Sequence, residues 1–215
     1  MVRGETKERI CKAAVRLFNE EGYDAVSLRQ IAAEAGTTIG NLTYHYRRKD
    51  DLLAAILSDL HAGYAGRLNR SLEGTALLEH LVALFVASEE NQGNYPFYFG
   101  NLSQIMATSP SLKEENDLFA ARICSYYEWA LRRLRDVGIV RVRRSDSELE
   151  AFAYGLVTMQ SGWTQQSSPY NNESLSRISM ARALSTMLMA YVDDGLLTEY
   201  ATICSRLGVE LKADD

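Results

Sequence analysis

Proline and cysteine are scarce in this sequence of 215 residues, with three of each. Few prolines among many alanines and leucines favour long helices, because proline breaks a helix interior whereas Ala and Leu stabilise it. The cysteines are odd in number and far apart, so they form neither a disulfide framework nor a zinc-binding pattern. Free thiols are typical of a reducing compartment, and we expect a cytoplasmic protein.

Long apolar runs are missing as well. The longest, residues 81–87, is far shorter than the roughly 20 residues that a membrane-spanning helix needs. Residues 1–7 contain no apolar segment of the kind found in a signal peptide, so we expect none. The sequence therefore predicts a protein without a membrane partner.

The signatures of common enzymes are also absent from the sequence. It has no glycine-rich phosphate loop, no nucleophile elbow and no pair of histidines at metal-ligand spacing. His61 and His80 fall on different predicted helices, where a surface or core position is the ordinary explanation. We therefore predict that the protein is not an enzyme and that it holds neither a metal ion nor a cofactor.

Charge is distributed unevenly along the chain. Residues 1–50 carry a net charge of +2, and residues 51–215 carry a net charge of −7. A mildly basic segment on an acidic chain suggests that this segment meets an anionic partner. The same balance is also common on an ordinary solvated surface.

Two helices are predicted at the start of the chain. Apolar residues at helical spacing indicate the first over residues 5–21, and Gly22 is expected to end it. Ser27 and Gln30 form a capping box that begins the second helix, which is predicted to run to Ala35.

A short helix and a long one follow. Gly36 is expected in the turn, and Thr38 caps a third helix over residues 38–45, which has too few apolar residues to build a core. The fourth helix is predicted from Lys49 to about Leu72. Two short helices joined by a glycine-containing turn are the helix-turn-helix pattern, whose second helix enters the major groove of DNA. The spacing alone also fits an ordinary helical hairpin.

Residues 22–53 contain a series of short motifs in a fixed order. The motifs are Gly22-Tyr23, Ser27-Leu28-Arg29-Gln30-Ile31-Ala32, Ala35-Gly36-Thr37-Thr38, Gly40-Asn41-Leu42, Tyr44-His45-Tyr46 and Lys49-Asp50-Asp51-Leu52-Leu53. In order and register they resemble the DNA-binding domain of the TetR family of transcriptional regulators. The rest of the chain is similar to that family only in size and helical character.

The resemblance implies a set of contacts with operator DNA. The implied contact residues are Arg29, Thr38, Ile39, Gly40, Asn41, Thr43, Tyr44, His45 and Lys49. Lys49 matches a lysine that grips a phosphate, and Ile39 would read a base by apolar contact, for instance with a thymine methyl group. Thr43 stands where many members have tyrosine, so either Thr43 makes a shorter phosphate contact or Tyr44 replaces it.

The remainder of the chain is also predicted to be helical. One helix is predicted to open at Thr75, and the next to cover residues 95–107. Two more are predicted from Ser109-Pro110 to Asp136 and from a Ser147/Glu150 capping box to Gln166. A loop follows at Pro169 and Asn171-Asn172, and the last two helices cover residues 174–192 and 195–207.

The resemblance assigns a dimer interface to the helices at 147–166 and 174–192. Both have faces rich in apolar and small residues, which also fit plain packing against the core of the same protomer. The residues expected in the interface are Phe152, Leu156, Ala181, Leu184 and Leu188.

Aromatic and methionine side chains are concentrated between residues 95 and 163. In the family the central helices enclose a small-molecule pocket, and such sites are mostly apolar with a few polar groups. The resemblance thus implies a pocket for a mostly apolar or aromatic effector, although plain core packing explains the same residues. The expected lining is Phe99, Met106, Tyr126, Trp129, Met159 and Trp163, with Arg122 and Gln160 as candidate polar anchors.

The sequence thus predicts an all-α protein with two domains. Residues 1–48 form an N-terminal three-helix helix-turn-helix DNA-binding domain, and residues 49–215 form a larger C-terminal helical ligand-binding and dimerisation domain. We expect a ligand-responsive transcriptional regulator, more often a repressor on family grounds, that binds a palindromic double-stranded DNA operator as a homodimer. The alternative is a helical protein-interaction module or adaptor without sequence-specific DNA binding.

Overall fold

The computed structural model describes residues 3–167 and 178–211. Within these ranges the regular structure is helical, and one isolated antiparallel bridge joins Val140 to Val192. The helices are α1 (Arg3–Glu21), α2 (Leu28–Glu34), α3 (Ile39–His45), α4 (Lys49–Ala65), α5 (Gly74–Asn94), α6 (Pro96–Phe99), α7 (Leu102–Thr108), α8 (Pro110–Asp136), α9 (Asp146–Ser167), α10 (Met180–Met189) and α11 (Leu197–Arg206), with a short 3₁₀-helix (Asp194–Leu196) directly before α11. The predicted all-α fold is confirmed.

Two hydrophobic cores organise these helices. The N-terminal core joins α1–α4 to α6, α7 and the start of α8. The C-terminal core joins α5, α8, α9, α10 and α11. Leu52 and Leu53 of α4 lie in the N-terminal core, whereas Tyr64 near its end lies in the C-terminal core, so α4 connects the two. The predicted domain boundary between residues 48 and 49 therefore coincides with the start of α4, a helix that contributes to both cores.

The predicted signals at the ends of the first three helices are confirmed. Ser27 and Gln30 form the capping box at the start of α2, with the Ser27 backbone N–H donating to Gln30 Oε1 at 2.9 Å. Thr38 Oγ1 accepts from the Asn41 backbone N–H at 3.1 Å and so caps α3. Gly36 has a φ of +60°, a left-handed conformation that glycine adopts without steric cost.

Replacing Gly36 by alanine should destabilise the protein by about 1–2 kcal/mol, because a Cβ at positive φ crowds the following carbonyl. Gly63 is the matched control, since it lies on the exposed face of α4 with no atom within 4 Å of an added Cβ. Gly63→Ala should stabilise α4 by roughly 0.5–1 kcal/mol. Urea denaturation of both variants measures the difference, and equal midpoints would contradict the assignment of the turn.

Two predicted helix spans in the middle of the chain are wrong. The fourth helix ends at Ala65, not near Leu72, because Gly66 is followed by a loop in which Asn69 Oδ1 accepts from the Ser71 N–H. The expected helix over 95–107 is two helices, α6 and α7. Between them, the Asn101 side-chain amide donates to the Phe97 carbonyl at 2.8 Å. This carbonyl at the end of α6 is therefore hydrogen-bonded without a continuous helix.

Two further details differ in the C-terminal half. The capping box of α9 uses Ser145 and Glu148, not Ser147 and Glu150, with the Ser145 N–H donating to Glu148 Oε2 at 2.8 Å. The helix expected over 174–192 ends at Met189. Its predicted start and the loop at Pro169 and Asn171-Asn172 lie outside the described residues. Across the described part of the chain, no helix is long and apolar enough to cross a membrane.

Candidate DNA-binding surface and central cavity

Helix α3 is held by very little of its own surface. Leu42 is the one buried residue of its seven, and Tyr46 directly after it is buried too. The preceding helix, α2, buries Ile31 and Ala32 and contacts α3 directly. The rest of α3 therefore faces outward on a rigid support, which is how a recognition helix is presented to a groove.

The nine residues expected to meet DNA are all accessible. Exposed or partly exposed in this structure are Arg29, Thr38, Ile39, Gly40, Asn41, Thr43, Tyr44, His45 and Lys49. Tyr44 is 68% exposed and Ile39 is 40% exposed. Exposure makes contact with DNA feasible but does not test it, so these assignments stay predictions.

Hydroxyl groups on α3 differ in what they can offer. Thr43 Oγ1 donates to the Ile39 carbonyl at 2.9 Å, so its hydrogen is used inside the helix and a phosphate contact requires its rotation. Thr38 Oγ1 accepts from a backbone N–H and keeps its own hydrogen to donate. Tyr44 has a long exposed side chain, so it reaches further from the helix than Thr43.

Lys49 is engaged by the protein itself. Its Nζ donates to the carbonyls of Tyr23, Asp24 and Val26 at 2.6, 3.3 and 3.0 Å, and it lies 4.4 Å from the centre of the Tyr23 ring. A lysine ammonium has three N–H donors, and these carbonyls account for all three. Lys49 thus ties the start of α4 to the loop before α2, and the predicted phosphate contact requires one of these bonds to be exchanged.

A shallow groove beside α3 identifies a residue that sequence reasoning missed. It is lined by Gly4 and Lys7 of α1 together with Tyr44 and His45 of α3. Lys7 is exposed there, close to the end of α3. Its position depends on how α1 packs on the other helices, so no local sequence signal distinguished it from Lys12, the other lysine of α1.

A partly open cavity of about 60 Å³ lies between α4, α5, α6, α7, α8 and α9. It is lined by Leu60, His61, Tyr64, Ser88, Asn91, Gln92, Tyr98, Phe99, Leu102, Asn116, Phe119, Ala120, Ile123, Val157, Gln160 and Ser161. A cavity of about 150 Å³ holds benzene, so an aromatic ligand of that size or larger enters this cavity only if its lining side chains move.

A chain of buried polar groups crosses the floor of this cavity. Gln92 Nε2 donates to the Gln160 carbonyl at 2.6 Å, and Gln160 Nε2 donates to the Tyr127 hydroxyl at 2.9 Å. The Tyr127 and Tyr64 hydroxyls lie 3.1 Å apart, and Tyr64 donates to the Leu84 carbonyl. Burial raises the pKa of Tyr127 to about 12, so its phenol stays protonated. The chain links α5, α9, α8 and α4 without any ionised group.

His61 occupies the α4 side of the cavity. Its ring stacks on Phe119 with the centroids 4.2 Å apart, and Nδ1 lies 3.7 Å from Glu115 Oε1, which is beyond hydrogen-bond length. Nδ1 is buried with no hydrogen-bond partner among the described residues. Burial lowers the pKa of His61, and Glu115 offsets this only in part, so the imidazole is neutral near pH 7.

The structure brings few of the expected pocket residues to this cavity. Phe99 and the candidate anchor Gln160 line it, whereas Arg122 is exposed elsewhere on α8. Tyr126 instead donates to the Asn69 carbonyl at 2.9 Å and lies beside Trp129. Four other expected residues do not line the cavity. They are partly buried against the two cores: Met106, Trp129, Met159 and Trp163.

Sequence reasoning named Gln160 but missed His61 and Gln92, because the signal available for these two residues was weak. His61 and Gln92 are single polar residues on otherwise apolar helix faces, and a polar residue at such a position is usually a satisfied core residue or lies at the surface. Only the packing of several helices shows that both border one cavity.

Helix α6 connects this cavity to the N-terminal core. Tyr98 and Phe99 of α6 line the cavity. Phe97, also in α6, packs on Phe18 of α1 with the ring centroids 5.2 Å apart. Asn19 of α1 donates to the Asn94 carbonyl just before α6 at 2.9 Å. Packing contacts therefore connect the cavity to α1 through the four-residue helix α6, in addition to the connection through α4.

The five residues expected in the dimer interface all lie inside the protomer. Phe152, Leu156, Ala181, Leu184 and Leu188 are buried in the C-terminal core. They face the protomer's own helices, so they are not available to a partner in this conformation. The same two helices expose other apolar side chains, since Tyr154 on α9 is 67% exposed and Met187 on α10 is 37% exposed.

Comparison with known proteins gives matches along most of the chain. The family model for bacterial regulatory proteins of the tetR family matches residues 10–56, and a model described as bacterial transcriptional repressor matches residues 64–199. YttP, a probable HTH-type transcriptional regulator of Bacillus subtilis, is 33% identical over 63 residues, which cover 29% of this chain and 30% of YttP. The chain spans less than half the length of the first curated relatives that it matches.

Solved structures match over a larger part of the chain. A TetR-family transcriptional regulator from Marinobacter aquaeolei VT8 has a TM-score of 0.78 at 18% identity and covers 96% of this chain and 99% of its own. The complex of SmeT with triclosan has a TM-score of 0.65 at 25% identity and covers 89% of this chain and 93% of its own. SmeT is the repressor of the Stenotrophomonas maltophilia multidrug efflux pump SmeDEF.

Proposed function

Because the chain belongs to the TetR family of bacterial regulatory proteins, we propose that it is a cytoplasmic repressor that binds a palindromic operator as a homodimer and releases it when a small molecule enters the C-terminal domain. The observation that carries the proposal is the presentation of α3. One buried residue, Leu42, anchors this helix, and its other six residues are exposed or partly exposed.

The N-terminal surface has the chemistry that DNA recognition needs. Apolar Ile39 and the Asn41 amide offer base-reading groups at the start of α3, while Thr38, Tyr44 and Lys7 offer donors to phosphate around them. The positive charge of residues 1–50, against an acidic remainder, orients this surface towards a polyanion. These features support DNA binding over the alternative of a protein-interaction module.

Effector control is supported by the position of the cavity. It borders α4 and α6, which both contact the N-terminal core, so occupation of the cavity biases the position of the helix-turn-helix. A ligand shifts such an equilibrium only through different affinities for the two arrangements, and operator DNA must weaken ligand binding by the same factor. The complex of SmeT with triclosan is a related protein with a bound small molecule.

The two kinds of DNA contact predict different mutant behaviour. Ile39→Ala and Asn41→Ala should change the preference among operator variants, with each base position worth about 1–3 kcal/mol. Lys7→Ala should weaken binding about equally on every sequence and lower the slope of log affinity against log salt by about 0.9 for each lost phosphate contact. Lys113→Ala on α8 is the control for a lost surface charge and should change neither property.

Binding curves on an operator found by genome-wide footprinting, measured at several salt concentrations, decide this prediction. Footprints should be palindromic with half-site centres about 34–36 Å, or a simple multiple of this, apart. A protein that protects no genomic fragment would favour the interaction-module alternative.

A further inference from the structure

The cavity lining is polar in places but carries no permanent charge. Among the described residues that line it there is no Lys, Arg, Asp or Glu. Amides and hydroxyls come from Ser88, Asn91, Gln92, Asn116, Gln160 and Ser161, and from the phenols of Tyr64 and Tyr98. We propose that this cavity takes an uncharged aromatic molecule with a hydrogen-bond donor, and that His61 accepts this hydrogen bond through Nε2. The inference rests on the proposed function only in treating the bound molecule as the effector.

Charge selectivity follows from the cost of burying an ion. A carboxylate in this cavity would lose its water and find no cation to pair with, and an unpaired buried charge costs several kcal/mol. A cation is less costly, because aromatic faces and Glu115 lie nearby, but Glu115 is not part of the lining, and its carboxylate lies 3.7 Å from His61 Nδ1. An uncharged ligand avoids both costs.

The preference for a donor follows from the tautomer of His61. A neutral imidazole has one donor nitrogen and one acceptor nitrogen. The carboxylate of Glu115 lies nearest to Nδ1 and favours the proton there, which leaves Nε2 as the acceptor. The other strong polar groups at the floor of the cavity already bond to each other, since Gln92 donates to the Gln160 carbonyl and accepts from Thr164. His61 Nε2 therefore offers an acceptor that a ligand can use without breaking an existing hydrogen bond.

The aromatic preference comes from the shape of the lining. Phe119 lies parallel to the His61 ring at an interplanar angle of 13°, and Tyr98, Phe99 and Tyr64 complete an aromatic wall. Flat rings stack on such walls in offset or edge-to-face arrangements. Because His61 belongs to α4, a ligand bound to it contacts the helix that leads to the DNA-binding surface.

Four small probes of nearly equal size separate these preferences. Benzyl alcohol is uncharged and has a donor, benzyl methyl ether is uncharged without a donor, benzoate is an anion and benzylammonium is a cation. Their dissociation constants for the free full-length protein are measured by ligand-observed NMR. We expect benzyl alcohol to bind roughly 3- to 10-fold more tightly than the ether, as for one neutral hydrogen bond, and at least about tenfold more tightly than benzoate.

Two variants test the role of His61. His61→Phe keeps the stacking on Phe119 and removes an unpartnered buried nitrogen, so it should fold at least as stably as the wild type and bind benzyl alcohol no better than the ether. His80→Phe is the matched control, because His80 Nε2 is also buried without a partner but lies outside the cavity lining. It should keep the preference of the wild type.

Benzoate or benzylammonium binding as tightly as benzyl alcohol, or an alcohol preference that survives in His61→Phe, would overturn the inference. The wild-type comparison of alcohol and ether stands even if His61→Phe fails to fold. Operator binding is measured separately. A protein that shows the probe preference and binds no DNA supports this inference and refutes the proposed function, and a protein that binds an operator without the preference does the reverse.

Discussion

A protein that carries glutamate at both Tyr154 and Met187 should sediment as a monomer and lose at least about 10³-fold in operator affinity, falling towards non-specific binding. The two residues are the large apolar side chains that α9 and α10 turn outward from the C-terminal core. If these helices form the dimer interface, two carboxylates per protomer are buried there without partners, which strongly destabilises the association. Without a dimer, only one half-site is read at a time.

The choice of these positions matters for the test. Leu184→Glu would place a charge at a fully buried site of the protomer, so loss of the dimer could not be separated from unfolding. Leu118→Glu is the control, because Leu118 is 68% exposed on α8 and lies outside the two helices. It should remain dimeric with wild-type affinity. A full dimer in the Tyr154→Glu/Met187→Glu protein, by sedimentation with unchanged helical content, would move the interface elsewhere.

Replacing Lys49 by methionine should cost about 2–3 kcal/mol of folding free energy, as expected for the loss of hydrogen bonds from a charged donor. The ammonium ties the loop at Tyr23, Asp24 and Val26 to the start of α4, and methionine keeps the length of the chain without the donors. Since this loop leads into α2, operator affinity should fall as well. Urea denaturation and operator titration measure the two effects.

The dependence on salt separates the two roles of Lys49. If Lys49 grips a phosphate, the slope of log affinity against log salt should fall by about 0.9 per subunit in Lys49→Met. If it only positions the loop, affinity should fall with the slope unchanged. Lys113→Met on α8, which pairs with Asp117, corrects for the loss of one positive charge. Unchanged stability and unchanged affinity together would remove both roles.

Local signals predicted the helix-turn-helix well because each of its features lies within a few residues. The Ser27/Gln30 box, the Thr38 cap and the positive φ at Gly36 depend on neighbouring residues, and all three appear as expected. The same reasoning misplaced the cap of α9 by two residues, because Ser145 and Ser147 are both followed three positions later by glutamate. In the structure Glu148, the glutamate of the Ser145 cap, also pairs with Arg144.

The pocket and the interface show where such reasoning stops. An aromatic residue on a helix such as Trp129 has the same sequence signature whether it faces a cavity or another helix, and here Arg70 lies over its ring instead. Likewise, an apolar stripe on α10 predicts a buried face but not which neighbour buries it. Leu184 and Leu188 pack inside the protomer, and the outward face is identified only by the exposure of Met187.

The sequence by itself determined the helical class, the helix-turn-helix and the family resemblance, because helix periodicity, caps and a motif in register are properties of neighbouring residues. Tertiary structure alone decided that Lys49 binds three carbonyls, that Lys7 borders α3, and that His61 and Gln92 share one cavity. These features join residues far apart in the chain. Their distances depend on how whole helices pack, which no local pattern encodes.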